Sequence, residues 1–391
     1  MCGIAGISGA GSRDDLTRMM AALVHRGPDG EGTFVDDAAH VFLGHRRLAI
    51  VDVAGGQPPM CNEDRQVGVV FNIEIYNHTE LRRELEARGH RFATDHADTE
   101  VLVHGFEEWG EDLPLKLNGM FAFVVLDRRR KRLFLARDRF GERPLYYAAQ
   151  PGFLAFASEL SALAKHRSVS RSINSRALQK FFAHGYIPAP LALLEGTVKL
   201  PGGHWLNYDL ESGKLTTRAY WQFYLEPDEG LGEADEPRLV EELGALLGQA
   251  AGRRLMSDVP IGIFLSGGLD SSLVLAALAH IRPAASLSTF TIGIAEPSFD
   301  ESKRARTVAR HLGTAHHERV LDLDRARALI EPVLSRLDEP LGDPSILPTH
   351  LLSAFAREKV TVALSGDGGD ELFAGYDPFL ALQPAAIVSV R

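Results

Sequence analysis

The first two hundred residues carry short apolar runs separated by polar turns. Val41-Phe42-Leu43 and residues 67–71, 121–126, 133–136 and 145–148 each have the length and composition of a strand. Two segments between them repeat at helical spacing instead. Residues 14–24 place Leu16, Met19, Met20 and Leu23 on one face, and residues 79–88 place Leu81 and Leu85 four apart, with Thr79 as the expected N-cap. Asp98-Thr99-Glu100 opens a further helix. Many strands with few helices predict an α+β arrangement in which two sheets lie between helices.

Past residue 209 the apolar pattern thins. Residues 225–238 hold six acidic side chains and little apolar content beyond Leu231, which predicts an exposed linker. A helical stretch follows over 239–254. Strands at 261–265, 287–294, 317–321 and 360–364 then alternate with helices at 272–280 and 302–312. That alternation predicts an α/β, doubly wound parallel sheet. The expected organisation is a first domain over 1–208, a linker over 209–237 and a second domain over 238–391.

Composition narrows the class without changing this layout. A chain of 391 residues is long enough for two cores, and 45% hydrophobic with 24% charged residues is an ordinary globular balance. The formal charge is -10, and the one dense basic run, Arg128-Arg129-Arg130-Lys131-Arg132, lies between two strand-like runs. It reads as a hairpin turn, so nucleic acid is not an expected partner. No apolar run approaches the roughly 18 residues that span a bilayer, and the N-terminus has no secretory pattern. Two cysteines, Cys2 and Cys61, make no disulfide framework, so a reducing, cytoplasmic setting without membrane attachment is expected.

The candidate chemistry begins at Cys2. Removal of Met1 would leave a thiol and a free α-amine on one residue. That amine has a reference pKa of roughly 7.7–8.0 and can act as base for its own side chain. Polar clusters abut the neighbouring strands: His25-Arg26-Gly27-Pro28-Asp29-Gly30, Gly44-His45-Arg46-Arg47, and Asn72-Ile73-Glu74. A substrate with an α-carboxylate, an α-ammonium and an amide needs a guanidinium, a carboxylate and oxyanion donors. Arg47, Asp98 and the Asn72-Ile73 pair supply that set.

With these residues, the segment from Cys2 to about residue 204 resembles the class II, N-terminal-nucleophile glutaminase domain of glutamine-hydrolysing asparagine synthetases. Asn118-Gly119-Met120-Phe121-Ala122-Phe123, Asp138 with Gly141, Pro144-Leu145-Tyr146-Tyr147, Ala157-Ser158-Glu159 and Gly185-Tyr186-Ile187-Pro188 look like family motifs in order. The resemblance implies Cys2 as nucleophile, Arg47 on the glutamine carboxylate, Asp98 on its ammonium and Glu74 as a nearby contact. Asn72 would donate to the oxyanion through its side chain, and residue 73 through its backbone N–H. The family usually has glycine where this chain has Ile73. A β-branched residue is a misfit at positive φ and could crowd the glutamine, so a weakened glutaminase is expected.

Leu265-Ser266-Gly267-Gly268-Leu269-Asp270-Ser271-Ser272 follows an apolar strand and opens a helix. Glycines bring backbone N–H groups to an anion, serines add donors, and a helix start favours negative charge. The string lacks the Walker ending and resembles the loop of ATP pyrophosphatases, which cut ATP between the α and β phosphates. Ser365-Gly366-Asp367-Gly368-Gly369-Asp370-Glu371 also follows a strand, and its acidic residues suit Mg²⁺ shared with phosphates. The resemblance places Ser365 and Gly366 against ATP and Asp367 in aspartyl-AMP formation. It places Leu265 and Ile292 beside adenine, Asp300 near pyrophosphate, and Asp270 with Asp370 on the metal. Asp338-Glu339-Pro340 and Asp343-Pro344-Ser345 match further family motifs.

The implied function is ATP-dependent amidation of aspartate with ammonia from glutamine, with ATP and Mg²⁺ required and a homodimer left open. Nothing in the residues reads aspartate directly, so another carboxylate acceptor stays open, as does a truncated glutaminase or a nucleotide-binding relic. The family continues beyond this chain's last residue, and its later Pro-Phe-Leu-Asp segment and lysine have no counterpart here. Glutamine hydrolysis is therefore expected to exceed asparagine formation.

Overall fold

A computed structural model describes residues 1–391 apart from Ala54, Gln57, 297–299, Asp322 and 381–391, so the end of the expected second domain lies outside the described residues. The chain divides into two units. Unit one is Met1–Glu226 with Leu337–Asp343, and unit two is Pro227–Arg336 with Pro344–Arg391.

Unit one opens with strands β1 (Gly3–Gly9), β2 (Gly30–Asp36), β3 (Val41–Arg47), β4 (Met60–Cys61), β5 (Val67–Ile75) and β6 (Gly119–Asp127). It continues with β7 (Arg132–Arg137), β8 (Tyr146–Gln150), β9 (Phe153–Ala157), β10 (Thr197–Lys199), β11 (His204–Asp209) and β12 (Leu215–Ala219). Its helices are α1 (Arg13–Ala22), α2 (His78–Ala87), α3 (Glu100–Trp109), α4 (Leu113–Lys116), α5 (Leu160–Leu163) and α6 (Ser175–His184). One sheet runs β10-β8-β9-β1-β3-β2 and the other β12-β11-β7-β6-β5-β4, with antiparallel pairing throughout.

Three apolar layers stack these elements. Ile4, Leu43, Val70, Val124, Leu135 and Phe156 pack together where the sheets face each other. Ile7, Met19 and Leu23 join the first sheet to α1, and Phe71, Ile75, Leu85, Val101 and Phe106 join the second sheet to α2 and α3. The order is helix, sheet, sheet, helix, as expected. Both faces of both sheets are covered, which is why the strands read as continuous apolar runs rather than alternating ones.

Side-chain parity on β5 follows from this stacking. Val69, Phe71, Ile73 and Ile75 belong to the layer under α2 and α3, whereas Val70 lies between the sheets. By the two-residue repeat of a strand, Asn72 and Glu74 share the inter-sheet face with Val70. Cys2 shares the parity of Ile4, which also lies between the sheets.

Three expectations shift. The second helix starts at His78, not after a Thr79 cap, and Asn77 takes the N-cap position without a side-chain capping bond. Asn77 is occupied elsewhere: its Nδ2 donates to the Lys116 carbonyl and its Oδ1 accepts from Asn118 N–H. The hairpin β11–β12 pairs Tyr208 with Leu215 and His204 with Ala219, so the expected linker start at 209 falls inside a sheet. Unit one also includes Leu337–Asp343, far along the chain. There Asp338 accepts from the N–H groups of Leu160 and Ser161, at 2.5 and 2.9 Å. Glu339 accepts from Leu193 N–H at 2.8 Å and pairs with Lys199.

The basic run does form the β6–β7 turn, and its charges are neutralised locally. Arg128 pairs with Asp36, Arg129 with Asp64, Lys131 with Glu211, and Arg132 with Glu111 and Asp127.

Unit two contains α7 (Glu236–Arg253), β13 (Ile261–Phe264), α8 (Leu269–Ile281), β14 (Ser288–Ile294), α9 (Ser302–Leu312) and β15 (Ala315–Leu321). Then come α10 (Leu323–Leu334), α11 (Ile346–Arg357), β16 (Val362–Leu364) and the short α12 (Gly369–Phe373). The sheet order is β15-β14-β13-β16, all parallel. Ala251, Leu275 and Ala309 from α7, α8 and α9 cover one face, while Phe355 and Ala356 of α11 pack with Phe290 on the other. The sheet is doubly wound, and its strand order reverses between β13 and β16, the kind of crevice in which open α/β sheets bind ligands.

Candidate active site

Cys2 stands immediately before β1. Arg26 Nε donates to the Cys2 carbonyl at 2.9 Å, and Glu159 in turn holds Arg26 Nη1 at 2.9 Å. The Cys2 thiol is set against the residue after β3: Leu48 N–H donates to Sγ at 3.4 Å, and Sγ lies 3.7 Å from the Leu48 carbonyl. Burial pushes the thiol pKa up, so with Met1 in place the sulfur rests protonated.

One pocket brings Cys2 together with Arg47, Asn72, Ile73, Glu74 and Asp98. Arg47 ends β3, and its guanidinium is fixed by the Val53 and Asp52 carbonyls, with Nη2 donating to Asp52 at 2.6 Å. Asp98 precedes α3 and accepts the Ile75 N–H through Oδ2 at 3.0 Å. Asn72 is 1% exposed, and its Nδ2 has no hydrogen-bond partner among the described residues. An amide donor buried at a pocket wall without an acceptor is poised for one from a ligand.

Ile73 behaves differently from the expectation. It is a regular residue of β5, opposite Phe121, and is not among the residues with positive φ. Its side chain belongs to the layer under α2 and α3, on the face away from Asn72 and Glu74. Along β5, Phe71 N–H goes to His45 Nδ1 at 3.5 Å and Ile75 N–H goes to Asp98, both away from β6. Backbone N–H groups on a strand alternate in direction, so Ile73 N–H points the same way as these two, between them. A β-branched residue thus fits here because the strand is regular, and the misfit expected at positive φ does not arise.

The pocket is acidic and buried. Burial raises Glu74 from 4.5 to about 8, with the Asp98 charge adding to the rise. Burial raises Asp98 from 3.8 to about 6, against the lowering effect of the Ile75 bond and of Arg47. Two carboxylates that resist ionisation favour a cation between them, which is the electrostatic demand of an α-ammonium group.

Arg143 also lines this pocket and was absent from the sequence reading. It is buried, its Nε lacks a partner among the described residues, and its charge acts on Glu74, Asp98 and the chain's amine. Two neighbours build its turn. Asp138 accepts from the N–H groups of Glu142 and Arg143, and Arg137 donates to the Gly141, Arg143 and Leu200 carbonyls. Gly141 takes φ 74° within that turn. No local pattern in the sequence singles out Arg143, because the bonds that build its turn are to backbone groups.

In unit two the loops after β13 and β16 lie side by side, because these strands are parallel neighbours. Gly267 has φ +83°, and a Cβ there would stand 2.4 Å from Ala305 N, so the loop requires glycine. A Cβ on Gly366 would stand 2.7 Å from Ser271 N, and one on Gly369 2.2 Å from Asp270 Oδ2. The loops therefore touch through glycines. Ser266 and Ser271 share a hydroxyl bond at 2.9 Å, and Gly268 N–H donates to Ser266 Oγ. Burial, then the charges of Asp370 and Glu371, raise the Asp270 pKa, so three carboxylates converge where the loops meet.

The remaining expected residues are dispersed around this crevice. Leu265 is buried and bonded to the Phe290 carbonyl, and Ile292 is half-buried two residues further on β14. Ser365 Oγ donates to Asp367 at 2.8 Å, and Asp367 is exposed. Asp300 turns inward to the start of α9, accepting from Ser302 N–H and Oγ.

Residues 1–221 match the glutamine amidotransferase domain family, and residues 242–386 match the asparagine synthase family. Over 394 residues the chain is 36% identical to glutamine-hydrolysing asparagine synthetase 1 of Bacillus subtilis, covering 98% of this chain and 61% of that protein. It is 36% identical over 398 residues to a Methanocaldococcus jannaschii protein named as a second such synthetase, covering 96% of this chain and 76% of the other. Asparagine synthetase 3 of Bacillus subtilis is 34% identical over 405 residues, with 97% and 64% covered. The chain thus spans about three-fifths of the length of the two Bacillus relatives.

Proposed function

The chain belongs to the glutamine-hydrolysing asparagine synthetase family, and we propose that it releases ammonia from glutamine at Cys2 and uses it to amidate aspartate activated by ATP. The observation that carries the first half is the convergence of Cys2, Arg47, Asn72, Ile73 and Asp98 on one pocket.

Removal of Met1 frees the Cys2 amine. The Met1 amine in this neighbourhood is lowered from 8.0 to about 6, chiefly by burial, with the charges of Arg143 and Arg26 assisting. An amine in these surroundings is neutral near pH 7 and can take the thiol proton. Arg47 receives the glutamine carboxylate and Asp98 its ammonium. The sulfur adds to the side-chain amide carbon, and Asn72 Nδ2 with Ile73 N–H stabilises the oxyanion. The amine returns its proton to the departing nitrogen, leaving a thioester and ammonia. Water then cleaves the thioester to glutamate.

In unit two, the N–H groups and hydroxyls of Ser266, Gly267, Gly268, Ser271, Ser365 and Gly366 cradle the ATP phosphates, and Leu265 with Ile292 flanks adenine. Converging carboxylates with a raised Asp270 suit a hard divalent cation, and Asp270 and Asp370 would hold Mg²⁺. When bound, Mg²⁺ neutralises phosphate charge. The aspartate side-chain carboxylate attacks the α-phosphate, pyrophosphate leaves, and Asp367 serves this step. Ammonia then displaces AMP to give asparagine. Without adenylation the carboxylate has no adequate leaving group.

The reading suits a cytoplasmic enzyme; among the described residues no helix is long and apolar enough to cross a membrane. The test is product analysis with glutamine, aspartate, ATP and Mg²⁺ together. Equal amounts of AMP, pyrophosphate and asparagine are expected. Glutamate release with no AMP in the presence of aspartate would overturn the synthetase half and leave the glutaminase half standing.

A further inference from the structure

Away from both sites, unit one brings two histidines and a glutamate together. His90 lies in the segment after α2, and His104 and Glu107 lie one turn apart on α3. One nitrogen of each ring and one Glu107 oxygen fall within 4.8 Å of one another. His104 Nδ1 is 3.4 Å and His90 Nδ1 3.9 Å from Glu107 Oε2. Ligands bonded at about 2.0–2.2 Å to a tetrahedral centre stand roughly 3.3–3.6 Å apart, so small side-chain shifts close the set.

A ring of partners stands behind these three groups. His104 is 2% exposed, and its Nδ1 makes no hydrogen bond among the described residues. Its opposite nitrogen, Nε2, faces Glu100 Oε1 at 3.5 Å. Glu100 is itself fixed by the N–H groups of Ala93 and Thr94 and by the Thr94 hydroxyl. The second Glu107 oxygen accepts from Asn62 Nδ2 at 2.7 Å. His90 Nε2 faces Glu108 Oε2 at 3.5 Å, and Arg88 holds the other Glu108 oxygen. Each ligand candidate therefore has an outer partner on its far side. Carboxylates behind ligating imidazoles orient the rings and raise their basicity, which is the arrangement seen around bound metals.

We propose that His90, His104 and Glu107 bind a divalent transition-metal ion of the zinc class. Two imidazoles with one carboxylate select a borderline cation over Mg²⁺ or Ca²⁺, which take oxygen ligands. The His90 and Glu107 side chains are only half-buried, so the ion has an approach and a water can complete its coordination. Binding displaces any proton that the flanking carboxylates hold on His104. The ion clamps the segment after α2 onto α3, directly beyond Asp98-Thr99.

The test is titration of Zn²⁺, and separately Co²⁺, into the full chain carrying Cys2→Ser, which removes the pocket thiol as a competing ligand. One ion retained per chain is expected, with the visible absorption of four-coordinate Co²⁺. Asn62→Ala should weaken Zn²⁺ binding about 10–100-fold, and His90→Ala or the near-isosteric Glu107→Gln by more. His90 lies outside both helices in the segment after α2, so its variant is expected to fold, and circular dichroism checks this. No Zn²⁺ retained by the parent, or equal Zn²⁺ affinity in His90→Ala and Glu107→Gln, would overturn the proposal.

Discussion

Ile75 N–H donates to Asp98 Oδ2 at 3.0 Å, and this one bond fixes two features of the proposed glutamine pocket. It holds one oxygen of the carboxylate proposed to receive the substrate ammonium. It also marks the direction in which alternate N–H groups of β5 leave the sheet, which aims Ile73 N–H into the site although residue 73 is not glycine.

The orientation of Ile73 reverses what the sequence alone leads one to expect of Ile73→Gly. Glutamate release by the variant should be no faster than by the parent, because the N–H is already placed. Stability should fall by about 3–5 kcal/mol, from loss of a buried side chain and gain of backbone freedom. Steady-state kinetics with urea unfolding checks both, and a many-fold faster variant contradicts the assignment of Ile73.

Asn72→Ala should lower kcat for glutamate release about 10²–10³-fold with little change in KM, since the oxyanion exists only after attack. A change confined to KM would assign Asn72 to substrate binding instead.

The raised carboxylates predict a pH signature. In the folded state Glu74 holds its proton up to about 8 and Asp98 up to about 6, against ordinary values of 4.5 and 3.8. The folded state therefore binds these protons more tightly than the unfolded one. Their contribution is fully present below about pH 4 and is lost as pH rises through 6 and 8. Urea unfolding of the ligand-free protein at pH 5 and pH 8 should show this loss, and Glu74→Gln should reduce it. An unchanged difference in the variant would contradict the shift of Glu74.

Arg143→Gln removes a positive charge that lowers the amine and both carboxylates. The acid limb of the pH–rate profile for glutamate release should move to higher pH. A profile that keeps its position while only the rate falls would give Arg143 a purely structural part.

In unit two, Gly366→Ala should lower AMP formation more than tenfold, because its Cβ would meet Ser271 N at 2.7 Å and push the two loops apart. Near-normal AMP formation would show that the loops need not touch.

Much of this was legible in the sequence, for physical reasons that also explain the gaps. The strands around β5–β7 and the alternation after Ile261 are long, apolar and regular, so periodicity finds them. The strand β12, Leu215–Ala219, has only Leu215 and Ala219 as apolar residues and is held by pairing with β11, which no local pattern reports. Side-chain parity at Ile73 depends on which face of β5 meets which layer, a tertiary fact. Arg143 is set by Asp138 and Arg137 through backbone bonds that leave no compositional mark. The docking of Asp338 and Glu339 onto unit one is between residues more than a hundred positions apart. Cys2, Arg47, Asn72 and Asp98 could be singled out by residue type, and the structure brings all four to one pocket.

The central claim rests on Cys2, and the most direct measurement is glutamate release from glutamine by the Met1-processed protein and by Cys2→Ala. The parent should release glutamate and, stopped in mid-turnover, carry a glutamyl thioester on Cys2 by mass spectrometry, while Cys2→Ala does neither. Equal glutamate release by the two proteins would contradict the account.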